Sequence, residues 1–64
     1  MIELTRMKGE RFAVNSDQIE IIEETPDTIV TMLNGHKYIV KEPVREIISR
    51  IESFRRNSSR PVVQ

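Results

Sequence analysis

The spacing of apolar residues changes abruptly at Pro43, and this change limits the folds open to the chain. Before Pro43, short runs alternate apolar and polar side chains, which is typical of β-strands with one buried face. After Pro43, apolar residues recur every three or four positions, which indicates an amphipathic helix. The helical stripe consists of Val44, Ile47, Ile48, Ile51 and Phe54. The sequence therefore predicts an α+β fold, mainly β, with one C-terminal helix.

Turn-forming residues divide the part before Pro43 into five alternating runs. The turns are Lys8-Gly9-Glu10, Asn15-Ser16-Asp17, Thr25-Pro26-Asp27 and Asn34-Gly35. Both residues of an Asn-Gly pair tolerate positive φ, so this pair predicts a type I′ hairpin. Because short turns join neighbouring runs, we expect a five-stranded antiparallel meander, twisted or barrel-like. The domain is predicted to span residues 1–56, followed by a flexible tail over residues 57–64.

Apolar side chains in the five runs form two sets. The set predicted for the main core is Ile2, Leu4, Phe12, Val14, Ile19, Ile21, Val30, Met32, Tyr38 and Val40. The set predicted for the opposite face is Met7, Ile22, Ile29, Leu33 and Ile39. One helix covers only one face of a sheet. Either the sheet closes on itself or the second face is buried between subunits, and we expect a homo-oligomer.

Composition argues against several kinds of site. The 64 residues contain no cysteine and one histidine, so we expect no disulfide, no metal and no cofactor. Carboxylates near the third turn, Glu23, Glu24 and Asp27, fit a solvated corner better than an acid–base pair, and we expect no catalytic residues. The chain has no signal-peptide pattern and no apolar run of ~20 residues, so we expect a cytoplasmic protein without membrane insertion.

Charge is unevenly distributed although it sums to zero. Residues 1–44 carry eight acidic and five basic side chains, a net of −3, and residues 45–64 carry two acidic and five basic ones, a net of +3. Such a basic end can steer toward an anionic partner, or it can be only a solvated helix end. The predicted partner-binding residues are Arg50, Arg55 and Arg56, with Ile22, Ile29, Leu33 and Ile39 on the second apolar face.

Polar residues at the turns are predicted to be structural corners. The corner residues are Arg6, Asp17, Pro26, Asp27, Asn34 and Gly35. One hypothesis pairs Arg6 with Asp17 or Asp27 across the end of the sheet, and the alternative leaves each of them separately solvated. The Thr25-Pro26-Asp27-Thr28 turn is either a corner only or also a contact site for a partner.

A combination of motifs resembles one family. The chain opens with M-I-E-L-T-R, continues with N-S-D-Q-I-E-I-I-E and T-P-D-T, and then has an N-G hairpin followed by K-Y-I-V-K-E. These motifs resemble the small flagellar proteins of the FlbD/SwrD type over residues 1 to about 56. Pro43 departs from the family pattern, in which a serine often precedes the helix.

The resemblance implies a non-enzymatic accessory protein of bacterial flagellar motility. It further implies support of swarming by raised motor power, through contacts with flagellar motor or stator proteins at the basal body, beneath the inner membrane. The spacing of Asp17, Ile19, Ile22 and Glu23 is also similar to the sheet of LytTR-type DNA-binding domains. A nucleic-acid-binding regulator of flagellar genes is thus the alternative, although the zero net charge and the core-facing aromatic residues do not favour it.

Overall fold

The computed structural model describes the backbone of residues 1–58 and the side chains of residues 1–56. It confirms an α+β fold of five strands and one helix. The elements are β1 (Ile2–Thr5), β2 (Arg11–Val14), β3 (Ile19–Glu24), β4 (Thr28–Met32), β5 (Lys37–Val40) and α1 (Val44–Ser58). The helix runs two residues past the predicted domain end at residue 56, and the remainder of the predicted tail, 59–64, lies outside the described residues.

The five strands form two sheets, so the prediction of one continuous meander is wrong. β1 pairs with β2, and β4 lies between β3 and β5 in a three-stranded sheet, with every pair antiparallel. The two sheets meet where the end of β1 approaches the end of β5. There Arg6 forms an isolated bridge with Val40, and Lys41 N donates to Thr5 O at 2.9 Å.

A short 3₁₀ helix, Ser16–Gln18, explains why β2 and β3 do not pair. The Asn15 side chain accepts a hydrogen bond from Asp17 N at 3.0 Å, and Gln18 N donates to Asn15 O at 2.9 Å. Asn is suited to this role because its short amide competes with regular pairing of the backbone. The sequence predicted a turn here, but the turn redirects the chain instead of closing a hairpin.

Between β1 and β2, the backbone pair Arg6 and Glu10 closes a three-residue loop, Met7-Lys8-Gly9, which ends on a glycine. Arg6 N donates to Glu10 O at 2.7 Å, and Gly9 N donates to Arg6 O at 2.8 Å. Gly9 has φ of 102°, which lies in the left-handed region. A three-residue hairpin loop needs this conformation at its last position.

The loop between β4 and β5 repeats this plan. Met32 N donates to His36 O at 2.7 Å, and Gly35 N donates to Met32 O at 2.9 Å. Gly35 has φ of 93°, whereas Asn34 has no positive φ. The hairpin is confirmed, but the predicted type I′ turn is wrong. Asn34 instead uses its side chain, which accepts a hydrogen bond from His36 N at 3.0 Å.

The core lies between the sheets and the inner side of α1. Its buried apolar residues are Ile2, Leu4, Val14, Val30, Val40 and Ile47. Half-buried residues that pack against them are Phe12, Ile19, Ile22, Met32, Tyr38 and Ile51. α1 contacts β1 and β3, and Glu24 Oε1 accepts a hydrogen bond from Val44 N at 3.1 Å. A carboxylate at a helix N-terminus satisfies an otherwise unpaired amide and complements the helix dipole.

One β-bulge reverses two predicted side-chain positions in β3. The register with β4 shifts between Ile19 and Ile21. A bulge inserts one extra residue, so later side chains change face. Ile22 lies opposite Val30 and packs on the core, whereas Ile21 is 46% exposed. The predictions that Ile21 is a core residue and that Ile22 belongs to the opposite face are therefore wrong.

Candidate functional site

A buried carboxylate joins the first strand to the helix. Glu42 follows β5 and is 8% exposed. Its Oε1 accepts from Thr5 N at 2.9 Å, and its Oε2 accepts from Thr5 Oγ1 at 2.7 Å. Arg50 Nη1 donates to Glu42 Oε2 at 3.2 Å and also to the Glu3 carbonyl oxygen. Arg50 Nε completes the network with a bond to Glu46 Oε2 at 3.0 Å. Both oxygens of the carboxylate are thus used within the fold.

The same contacts set the ionisation of Glu42. Burial alone would raise the pKa of this carboxyl, because desolvation disfavours charge. The hydrogen bonds from Thr5 and the charge of Arg50 outweigh burial and lower the pKa below its ordinary value. A carboxyl that stays ionised near neutrality and is satisfied by its own chain fits a structural role. It does not resemble a general acid, which needs a raised pKa.

Arg50, which the sequence predicts as a partner-binding residue, is held by groups of its own chain. Its guanidinium is held by Glu42, Glu46 and the Glu3 carbonyl, and it lines a depression of about 320 Å³ together with Glu3, Thr5 and Arg11. The prediction considered only its charge. The spacing gave a partial signal, because Glu46 lies four residues before Arg50 on one helix face, where opposite charges pair.

Arg6 lies over two aromatic rings instead of pairing with Asp17 or Asp27. Its guanidinium carbon is 4.4 Å from the Phe12 ring centroid and 5.4 Å from that of Tyr38. Stacking of this kind favours arginine, whose flat cation is weakly hydrated. The ion pair that it forms among residues 1–56 is a 3.9 Å contact with Glu10. The proposed pairing across the sheet end is wrong.

This stack spans the junction between the sheets. Phe12 belongs to β2 and Tyr38 to β5, and their ring centroids are 5.2 Å apart at an angle of 43°. The His36 ring stacks on Tyr38 at 6.1 Å. Aromatic pairs in such tilted arrangements stabilise a fold beyond the area they bury. Arg6, which the sequence predicts as a structural corner, thus contacts both strands through their aromatic rings.

The remaining predicted corners lie at turns. Asp17 belongs to the 3₁₀ helix and donates its amide to Asn15. Pro26 and Asp27 form the exposed turn between β3 and β4, where Thr25 N donates to Asp27 O at 3.1 Å. Thr28, the last residue of this motif, is buried at the start of β4. The motif therefore has a structural function at both its ends.

An apolar surface remains on the outer side of the three-stranded sheet. Ile21 is 46% and Ile39 is 48% exposed, and Ile29 between them is half-buried. Leu33 and Met7 are exposed in the two hairpin loops. Met7 and Ile39 line a depression of about 500 Å³ with Arg6, Lys8 and Glu10. The second apolar face is thus present as predicted, with Ile21 in place of Ile22.

The helix carries the predicted basic end. Arg55 and Arg56 are exposed in its last turns, and Arg56 Nη2 donates to Ser53 Oγ at 3.4 Å. Over Val44–Ser58 the helix holds four arginines and two glutamates, a net of +2. Ile48 on the same helix is 45% exposed.

Within residues 1–58, no group of three or more His, Cys, Asp or Glu side chains could hold a metal ion. No helix in that range is long and apolar enough to cross a membrane.

The comparisons with known proteins identify the family of the chain. No curated protein and no solved structure matches it. The FlbD family, described as flagellar and swarming motility proteins, matches residues 1–58. This range includes all five strands and the helix, with both hairpin loops, the Glu42 network and the exposed apolar face. The chain therefore belongs to the FlbD family of flagellar and swarming motility proteins.

Proposed function

We propose that this protein is a non-enzymatic accessory factor that supports swarming by raising the power of the flagellar motor. It does so by binding a motor or stator protein, acting beside the basal body at the inner face of the membrane. The observation that carries the proposal is the family match over the whole described fold. The family match supports a role in motility. The effect on motor power is our own proposal.

The use of polar groups within the fold supports binding over catalysis. The most buried carboxylate, Glu42, is satisfied by Thr5 and Arg50, and its lowered pKa keeps it charged. Catalytic groups are usually tuned toward neutrality and held beside a second reacting group. Here the polar network instead fixes the helix against β1, which gives a small rigid domain suited to docking.

The basic end of α1 is the surface that we assign to the motor partner. Arg55 and Arg56 extend the positive charge of the helix where it leaves the body of the fold. An acidic partner would be attracted to this end, and rim charges of this kind act mainly on the rate and selectivity of association. The exposed Ile48 adds an apolar contact on the same element.

Torque measurement on tethered cells tests the function. Cells lacking the protein should keep a normal number of filaments and show reduced motor torque, and the wild-type chain should restore it. Fewer filaments together with reduced flagellar transcripts would contradict the proposal and support a gene regulator instead. Normal torque and normal filaments would also contradict it.

The double variant R55E/R56E tests the assigned surface. We expect it to fold normally but to leave torque near the level of cells without the protein, because the charge that attracts the partner is reversed. The matched control is K41E/R45E, which makes the same change of charge at the other end of the helix. If both variants gave the same torque, the basic end of α1 would not be part of the binding site. Circular dichroism of the purified variants checks that they are folded.

A further inference from the structure

The outer face of the three-stranded sheet has a simple arrangement of side chains. Residues that lie opposite each other in paired strands share a face, and two such rows face outward here. The first row is Glu23, Ile29 and Ile39, and the second row is Ile21, Thr31 and Lys37, each given in the order β3, β4, β5. The rows are two residues apart along each strand. We call these six residues the outer patch.

Charges and isoleucines occupy opposite diagonals of the outer patch. Two strand spacings separate β3 from β5, about 10 Å, and two residues along a strand span about 7 Å. Glu23 and Lys37 stand at one pair of opposite corners, and Ile21 and Ile39 stand at the other pair. The patch is thus a rectangle of about 7 by 10 Å, with one acid and one base.

This arrangement is complementary to itself in one orientation. When two outer patches stack face to face, the two-fold axis of the dimer lies in the plane between the sheets. The axis can run along the strands, across them, or along either diagonal of the patch. An axis along the strands, or across them, places Glu23 and Lys37 on isoleucines. An axis along the charged diagonal places Glu23 on a second Glu23. An axis along the Ile21–Ile39 diagonal brings Glu23 to within about 4 Å, in the plane of the sheets, of Lys37 of the partner subunit, an offset that these two long side chains can span.

We propose that the outer patch binds a second copy of this chain, with the two sheets crossing steeply about the Ile21–Ile39 diagonal. In this dimer each Glu23 pairs with Lys37 of the partner subunit, so two equivalent ion pairs flank an isoleucine centre. Steep crossing is one of the two packing modes known for stacked sheets. The dimer leaves the basic end of α1 open, and the inference does not depend on the proposed function.

The exposure of apolar side chains supports a second copy as the occupant. Ile21 and Ile39 are 46% and 48% exposed, although they lie in the middle of strands, where natural sequences usually place polar residues on a wet face. A standard interface removes about 800 Å² from each partner, which needs more than six residues. Leu33 and Met7 are also exposed, and Met7 lies beside Ile39, so the apolar surface extends beyond the outer patch. A domain this short also gains stability from association.

Charge reversal and mixing test the dimer and its orientation. Sedimentation equilibrium of the wild-type protein should give twice the monomer mass of 7.5 kDa at micromolar concentration. E23K places lysine against lysine, and K37E places glutamate against glutamate. Each variant alone should dissociate with a dissociation constant raised at least about tenfold. An equimolar mixture of E23K and K37E should recover the dimer, because both cross-subunit pairs are again of opposite sign.

The control is E52K, which makes the same charge change on the exposed side of α1 and should leave the dimer intact. I39T tests the apolar centre and should weaken the dimer, since threonine keeps the strand propensity but loses apolar area. A monomeric wild-type protein at 100 μM would overturn the proposal and leave the face to another protein. A dimer that E23K does not weaken, or that the mixture does not restore, would overturn the crossed orientation.

Discussion

Glu42 shows how one side chain determines the relation between distant parts of the chain. It lies 37 residues from Thr5 in sequence, yet it accepts both the amide and the hydroxyl hydrogen of that residue. Arg50 then connects the same carboxylate to the helix. Hydrogen bonds to a charged group of this kind contribute more to stability than neutral ones, about 1.5–3 kcal/mol each. The connection between β1 and α1 therefore has both a polar and an apolar component.

We expect E42Q to lower the free energy of unfolding at pH 7 by about 1–3 kcal/mol, because the charged acceptor is lost. This difference in the free energy of unfolding between wild type and E42Q should become smaller as pH is lowered. A lowered pKa means that the carboxylate adds stability above its ordinary pKa of 4.5, and this part is lost as pH falls below 4.5 and through the lowered pKa of the folded state. Urea unfolding of both proteins from pH 7 to pH 3 measures the difference. E52Q, at an exposed position, serves as the control, and a deficit that is constant with pH would contradict the prediction.

Among single residues, the sequence singles out Arg6 and Arg50, but it predicts the wrong partner for Arg6 and does not predict the contacts that Arg50 makes within the fold. Both were judged by charge alone, which suggests an acidic neighbour or partner. The structure gives Arg6 two aromatic rings and gives Arg50 a buried carboxylate. Such contacts depend on how the strands are placed in space, and local spacing does not contain that information.

At the level of elements, the strands and the helix could be predicted because local chemistry determines them. Alternation identified every strand, and the 3.6-residue spacing identified α1. The bulge in β3 could not be predicted, because Ile19, Ile21 and Ile22 are equally apolar and either face suits them. The pairing of the strands was also missed, since a bend at Asn15 can close a hairpin or redirect the chain.

The two hairpin loops lead to a prediction at this scale. A Cβ at Gly35 would meet no atom within 4 Å, so only its φ of 93° disfavours other residues. We expect G35A to destabilise the protein by about 1–2 kcal/mol, and G35N to cost less, since asparagine tolerates the left-handed region. Thermal unfolding of both variants measures this order. Equal loss in the two would show that backbone conformation is not the cause.

At the scale of the whole molecule, α1 holds the two sheets around one core. Ile47 is fully buried, whereas Ile48 beside it is 45% exposed. We expect I47A to lose about 2–4 kcal/mol, which is a large fraction of the stability of so small a domain, and I48A to lose less than about 1 kcal/mol. Urea unfolding of this matched pair measures the contribution of the core. Similar losses would mean that the helix does not pack through Ile47.

The contact between Thr5 and Glu42 also has a consequence for how the chain acquires its structure in the cell. The first hairpin is local and can form early, but its strand β1 is held by β5, by Glu42 and by Arg50, all of which are synthesised much later. Bringing these distant residues together closes a long loop. The chain loses conformational entropy in this step before the contacts can stabilise the fold. The N-terminal strand therefore reaches its final contacts only after residue 50 has been synthesised. Until then its apolar residues, Ile2 and Leu4, lack the helix and the second sheet that bury them in the folded protein.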